Sequence, residues 1–428
     1  MDSSKETAAV KPDGAGRSTE FRLARAPRTR PLARALCAAL ALALAGASAA
    51  ADPAVDAALQ LLADGDAAGA KAAFERVLEQ EPQSIEARLG LARAYQALGE
   101  YARAKIEFET VLDFDNLPPD LLGQDAVYAE VADDYAQGRR TQGFGYAETG
   151  LGYYRGNSTS ASDEFGGDEA RDPFWLARVG GGLNRTLDSG SSLSGTLDYR
   201  FRHYDESTRR NDSDLRWNGA YNRPLDENRW RLGVRGRVSY RGNSDYRNDY
   251  GVFSDYRVRL DPDNQLTFGA ELRTRRYPTG PLRSRSRDIG ELTGNWSRAF
   301  AEGRGNFSLG VNLARQWATQ ERPDGDATVY GAEAELGWAF NERLDGFLFA
   351  WWNHEGFSDE VHDASPDYDG NATFARSDNL YEAVGGLSWS FAPGWTLRPE
   401  VVWIRDQSNV GFGNYSSIEG WVSVRLSF

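Results

Sequence analysis

The side chains best suited to catalysis are scarce in this chain and poorly placed for it. Its histidines are His203, His354 and His362, and its one cysteine is Cys37. A lipid hydrolase needs a serine and a histidine within hydrogen-bond reach, and no motif here supplies that pairing. No enzymatic activity is expected. The acidic stretch Ser358 to Phe374 carries Asp359, Glu360, Asp363, Asp367 and Asp369. Its segment Asp367-Tyr368-Asp369-Gly370-Asn371 begins like a Ca2+ loop but lacks the closing bidentate glutamate, which leaves a solvated acidic loop. No metal and no cofactor is assigned. Arg283, Arg285 and Arg287 form a basic loop of the kind that contacts phosphate groups such as those of lipopolysaccharide.

What the sequence does concentrate is guanidinium chemistry at alternate positions. In residues 229–241, Trp230, Leu232, Val234, Val238 and Tyr240 share one face, and Arg229, Arg231, Arg235, Arg237 and Arg241 share the other. A period of two means a strand. If the apolar face meets lipid, a lipid-facing arginine at midplane would cost about 2–4 kcal/mol, so the arginine row must face inward. Arg200, Arg202, Arg257, Arg259, Arg273 and Arg275 extend this basic wall on flanking strands, while Glu291, Glu333, Glu335, Glu382, Glu400 and Glu419 form an acidic wall on later ones. Such a lumen either guides a charged or unfolded cargo or is stiffened by salt bridges across it.

The elements that must position these walls repeat from Thr141 to the end. Alternating segments lie near 142–155, 173–187, 192–204, 213–224, 229–242, 249–260, 265–277, 287–299, 305–319, 328–340, 344–356, 378–391, 395–407 and 415–428. Long connections follow the odd segments, and tight turns such as Asp188-Ser189-Gly190, Asp226-Glu227-Asn228 and Ala392-Pro393-Gly394 follow the even ones. Fourteen strands with this alternation predict an all-β transmembrane antiparallel barrel spanning 141–428, with long loops outside and short turns facing the periplasm. Its bore would lie between filled eight-stranded barrels and water-filled porins. The last strand places Ile418, Gly420, Val422, Val424, Leu426 and Phe428 on one face. Val422, Val424, Leu426 and a final Phe428 resemble the signal by which barrel assembly machinery recognises outer-membrane barrels. A mean hydropathy of −0.59 with 12% aromatic residues suits a protein whose strands are half wet.

Ahead of the barrel, residues 1–51 read as a signal peptide, basic to Arg34 and then an Ala/Leu core with small residues behind it. They hold eight basic and four acidic residues, so the remainder is near −18 where the whole chain is −14, which excludes nucleic acid as a partner. Residues 53–136 read as helical. At an offset of 34, Leu61 matches Tyr95, Gly65 matches Gly99, Ala70 matches Ala104, Phe74 matches Phe108 and Val77 matches Val111. This period, with small residues where helices cross, resembles the tetratricopeptide repeat. Residues 120–135 are expected as a capping helix, and 137–140 as a short join to the barrel.

A signal peptide, a short tetratricopeptide domain and a fourteen-strand barrel together look like the surface lipoprotein assembly modifier family. The Gly152-Tyr153-Tyr154-Arg155-Gly156-Asn157 segment is similar to the Gly-Tyr-Asp-Ser-Asn opening of those barrels, without the Asp-Ser pair. The resemblance implies an outer-membrane translocator whose periplasmic helices receive a client, a surface lipoprotein or secreted protein, and whose barrel delivers it. It implies client contacts at Phe74, Tyr95 and Phe108, with plain hairpin core as the competing reading for Phe74 and Phe108, and along the luminal arginines in transit. Two alternatives stand beside it, an exopolysaccharide export barrel and a passive porin-like channel.

Overall fold

In the computed structural model, residues 52–111, 128–129, 132, 140–158, 170–187, 189–242, 244–278, 280–320, 322–363, 372–410 and 414–428 are described. The expected signal peptide, most of the expected capping helix, residues 137–139 of the join and the Asp367 to Asn371 segment lie outside them.

Among the described residues, four helices come first: α1 (Pro53–Ala63), α2 (Ala67–Gln80), α3 (Ile85–Ala97) and α4 (Tyr101–Val111). Asp52, Asp66 and Ser84 accept from the backbone amides of Ala54, Gly69 and Ala87, so three helix starts are capped by side-chain oxygens. Gly65 and Gly99 follow α1 and α3 with φ of +86° and +75°, the left-handed conformation that closes a helix. The offset of 34 is therefore a structural repeat. Ala70 and Ala104 are buried where helices cross, and Phe74 and Phe108 fill the space beside them. Gly90 is required by the same packing, because a Cβ there would lie 2.3 Å from the Phe74 ring. Truncating Phe74 to alanine is expected to cost the helices about 3–5 kcal/mol, read as loss of helical circular dichroism at lower temperature with the β signal unchanged.

The barrel follows. Its strands are β1 (Thr141–Ser158), β2 (Ala170–Thr186), β3 (Ser192–Tyr204), β4 (Asp212–Leu225) and β5 (Asn228–Arg241). Next come β6 (Ser244–Asp261), β7 (Asn264–Arg276), β8 (Arg287–Phe300), β9 (Gly305–Ala318) and β10 (Ala327–Asn341). The set ends with β11 (Leu344–Asp363), β12 (Ala372–Ala392), β13 (Trp395–Ser408) and β14 (Tyr415–Ser427). Each strand pairs antiparallel with its sequence neighbours, and β14 pairs with β1, so the sheet is a closed fourteen-strand barrel. Closure leaves no unpaired sheet edge, which is what a spanning β structure needs in hydrocarbon.

The largest departures from the sequence expectation fall at two connections. The described ends of the connection expected at 357–377 are strand, since β11 and β12 continue past a bulge between Gly356 and Glu360 into pairs such as Val361 with Phe374. The acidic residues there suggested a loop, but the ladder satisfies their backbone groups whatever the side chains are. β6 likewise begins at Ser244, because Asp245 and Arg247 pair with Tyr240 and Ser239 across a register shift.

Leu151, Leu232, Val252, Leu272, Leu292 and Val311 are among the large apolar residues exposed on the outer face. They form the apolar exterior of a barrel that spans a membrane. Their sequence neighbours face the lumen, and Arg231, Glu271, Arg273 and Glu291 are among them. A turn shows how sequence sets the rim: Asp261 Oδ1 accepts from the amides of Asp263 and Asn264 at 2.8 and 2.9 Å, which fixes the β6–β7 reversal.

Candidate functional site: a docked helix and a charged lumen

The described residues from 52 onward belong to one compact unit, and α4 is where the helices meet the barrel. It lies against the turn end of the β4–β9 side. The Ala102 amide donates to the Gly303 carbonyl in the β8–β9 turn at 2.7 Å. Gly303 has φ +78°, and a Cβ there would come within 2.9 Å of Glu100, so only glycine lets the turn approach this closely. Ala102, Ile106 and Ala299 make a small apolar contact beside it. At the next residue, Arg103 grips Asp263 in the β6–β7 turn at 2.6 and 3.0 Å. That hydrogen bond, with a second to Glu100, holds the Arg103 guanidinium above its ordinary range despite partial burial. Gln83 in the α2–α3 connection also donates to Asp226 in the β4–β5 turn at 3.2 Å.

The inner face of α4 reaches the lumen. Glu107 is fully buried and pairs with Arg88 of α3 at 3.1 Å and with Arg259 of β6 at 2.6 Å. Arg88 is anchored in turn by the Pro82 carbonyl at 2.6 Å. Glu109 pairs with Arg257 at 2.9 Å, and its carbonyl accepts from Arg229. A carboxylate on α4 thus joins the interior of the repeat domain to the barrel wall. Burial raises the Tyr95 hydroxyl above its usual range, with Glu107 and Glu75 adding to the effect, so Tyr95 stays neutral beside this cluster.

Of the eleven arginines expected on the basic wall, Arg241 lies over the Tyr246 ring at 4.4 Å, and the other ten divide into two sets. Arg229, Arg257 and Arg259 hold α4. The others face carboxylates within the barrel: Arg200 and Arg237 each lie 2.7 Å from Asp214, and Arg231 lies 2.8 Å from Asp255. Arg202 bridges Asp212 at 2.8 Å and Glu419 at 2.5 Å. Arg275 pairs with Asp249 at 3.1 Å, and Arg273 with Glu291 at 3.2 Å. Arg235 is looser, 3.9 Å from Glu271. On the acidic wall Glu400 pairs with Arg398 at 2.7 Å. Glu333, Glu335 and Glu382 stand on β10 and β12, and β12 lies seven strands from β5 in the closed order of fourteen, across the lumen.

Phe74, Tyr95 and Phe108 are buried in the helical core, with Phe108 stacked on Tyr128 at 5.3 Å. They take the hairpin-core position, where none of the three presents a surface. In the closing strand, Val422 and Phe428 are exposed on the outer face while Ser423 and Arg425 are buried inward. Phe428 exchanges backbone hydrogen bonds with Gly145 of β1 at 2.6 and 2.9 Å. His203 sits beside Trp175 and Phe201 near the loop end, and His354 meets Asn379 Oδ1 at 3.1 Å.

Sequence reasoning missed Glu107, Glu109 and Arg103, because a helical carboxylate that docks on a barrel resembles any solvated helix face. It also missed Glu148, whose carboxylate lies 3.0 Å from Arg425 across the β1–β14 seam. An inward glutamate on the first strand opposite an inward arginine on the last was a signal available in the alternation.

Residues 61–122 match the tetratricopeptide repeat family. No curated protein matches the chain. Solved structures similar to it include the TodX monoaromatic hydrocarbon channel as a deltaS2 mutant, 8% identical, covering 67% of this chain and 90% of that one with a TM-score of 0.37. OmpT of Vibrio cholerae is 8% identical and covers 67% of this chain and 99% of its own, also with a TM-score of 0.37. A bacterial polysaccharide outer membrane secretin is 12% identical, covering 64% and 97% with a TM-score of 0.33.

Proposed function

We propose that this chain is a bacterial outer-membrane translocator that delivers client proteins, surface lipoproteins or secreted proteins, to the cell surface. The helices stand in the periplasm, and the turn end of the barrel faces them. The observation that carries the reading is the Arg88–Glu107–Arg259 cluster. It ties the interior of a repeat domain, a fold that commonly binds peptides, to the wall of the lumen. A passive channel has no use for a domain clasped across its rim by buried charge. A client that displaces α4 would release Arg229, Arg257 and Arg259 together, so binding at the helices and access to the barrel would be linked by one set of ion pairs.

The test is protease shaving of intact cells, wild type against a deletion strain, with the released peptides identified. One or a few surface proteins should disappear from the shaved set while persisting in the periplasm. An unchanged surface set would sink the translocator reading and return the export-barrel and porin alternatives, which sugar secretion and planar-bilayer conductance then separate.

A further inference from the structure

A cavity of about 400 Å³ opens inside the barrel between β4 and β7. Six arginines line it, Arg216, Arg231, Arg235, Arg237, Arg247 and Arg273, against the single carboxylate of Asp249. The nearby carboxylates are oversubscribed. Asp214 serves Arg200 and Arg237 at 2.7 Å and Arg216 at 3.8 Å. Asp249 serves Arg247 at 2.5 Å and Arg275 at 3.1 Å. Glu271 stands 3.9 Å from both Arg235 and Arg273.

Donors are left over as a result. The Nε atoms of Arg235, Arg247 and Arg273 are buried and have no hydrogen-bond partner. Buried donors of this kind are costly unless something accepts from them. Their positions are also held in advance. Phe253 points inward between two of these arginines, with the Arg235 guanidinium 4.2 Å from its ring centroid and that of Arg231 at 4.8 Å. Gly251 keeps the wall clear, since a Cβ there would lie 2.8 Å from Glu271.

We propose that this cavity binds a phosphate group, on orthophosphate or on a small phosphorylated solute, in the fork of Arg235 and Arg273. Planar guanidiniums donate in pairs to oxyanions, and arginines converging from four strands suit a tetrahedral dianion better than a planar monoanion. The volume exceeds what orthophosphate alone would fill and falls in the range of small-molecule sites. This site does not depend on the translocator reading, because none of its arginines holds α4.

The experiment is calorimetric titration of the full-length chain, purified in detergent and shown folded by heat-modifiable gel migration. Orthophosphate and glycerol 3-phosphate are the ligands, and acetate is the comparison. Saturable binding of either phosphate is expected, at least tenfold tighter than acetate. Tighter glycerol 3-phosphate identifies a phosphorylated solute, and equal or tighter orthophosphate identifies the free ion. The double variant Arg235→Gln/Arg273→Gln should weaken binding at least tenfold, and Arg315→Gln, at the exposed loop-end pair with Asp326, should leave it unchanged. Should the double variant not fold, Arg235→Lys keeps the charge, loses the fork and should weaken binding several-fold. No saturable binding by the folded wild type, equal affinity for acetate, or phosphate binding indifferent to both Arg235 variants would overturn the proposal.

Discussion

Replacing Glu107 with alanine is expected to release the helical domain from the barrel while leaving the barrel closed. The carboxylate stands between Arg88, which is buried, and Arg259, also largely enclosed. Its removal strands two cations away from water. Breaking a buried pair by deleting one partner costs about 3–5 kcal/mol, because the remaining charge loses its compensation without regaining solvent. Here one deletion strands a cation on each side of the interface. At about 1.4 kcal/mol per tenfold, the docked state should open between ~10²- and ~4 × 10³-fold more often. Limited proteolysis of the purified chain reads this directly. Helical fragments should be clipped far faster than in wild type, and the barrel should keep its heat-modifiable migration. Glu107→Gln should fall between the two, since an amide still accepts from one guanidinium. A comparison at the exposed Arg315–Asp326 pair should change stability by less than about 1 kcal/mol, as surface pairs do. Equal protease rates for Glu107→Ala and wild type would mean that Arg103–Asp263, the Glu109 contacts and the apolar and backbone contacts hold α4 without Glu107.

The sequence carried the barrel because a membrane imposes a period of two on every strand, and fourteen repetitions of one pattern reinforce each other. Val422 outside and Arg425 inside could be assigned from alternation without any neighbour. The helical repeat was readable for a related reason. Gly65 and Gly99 need a left-handed backbone and Ala70 and Ala104 need to be small, so the same constraint recurs 34 positions on. What could not be read was which arginine does what. Arg229, Arg231 and Arg235 occupy equivalent positions on one face of β5. One binds the Glu109 carbonyl, one binds Asp255, and one is left 3.9 Å from its nearest carboxylate. Their difference lies in height along the barrel and in partners from distant segments, neither of which has a periodic signature. The acidic run after Phe357 misled for the opposite reason. Charged side chains suggested a loop, while the backbone there pairs as a strand projecting from the barrel.

The same charge logic predicts a defect where the barrel closes. Glu148 of β1 lies directly opposite Arg425 of β14 in the seam register, with their side chains 3.0 and 3.2 Å apart. Ser423 adds a hydrogen bond to the other carboxylate oxygen at 2.5 Å, and all three residues are buried. The seam joins the two ends of the barrel sequence, so it is the pairing with the largest loop to close and the least help from a local turn. Glu148→Ala is therefore expected to cost about 3–5 kcal/mol and to yield barrels that close slowly or incompletely. The readout is the fraction of heat-modifiable chain after refolding into lipid, together with the urea midpoint of the closed fraction. The double variant Glu148→Leu/Arg425→Met removes both charges and should recover most of the loss, because a buried pair replaced by apolar groups of similar volume is often neutral. A double variant as defective as the single one would mean that the seam needs the pair's geometry, with Ser423 included, and not merely its neutrality. Recovery would instead mark Glu148 as the counterion that lets an inward arginine sit on the last strand at all.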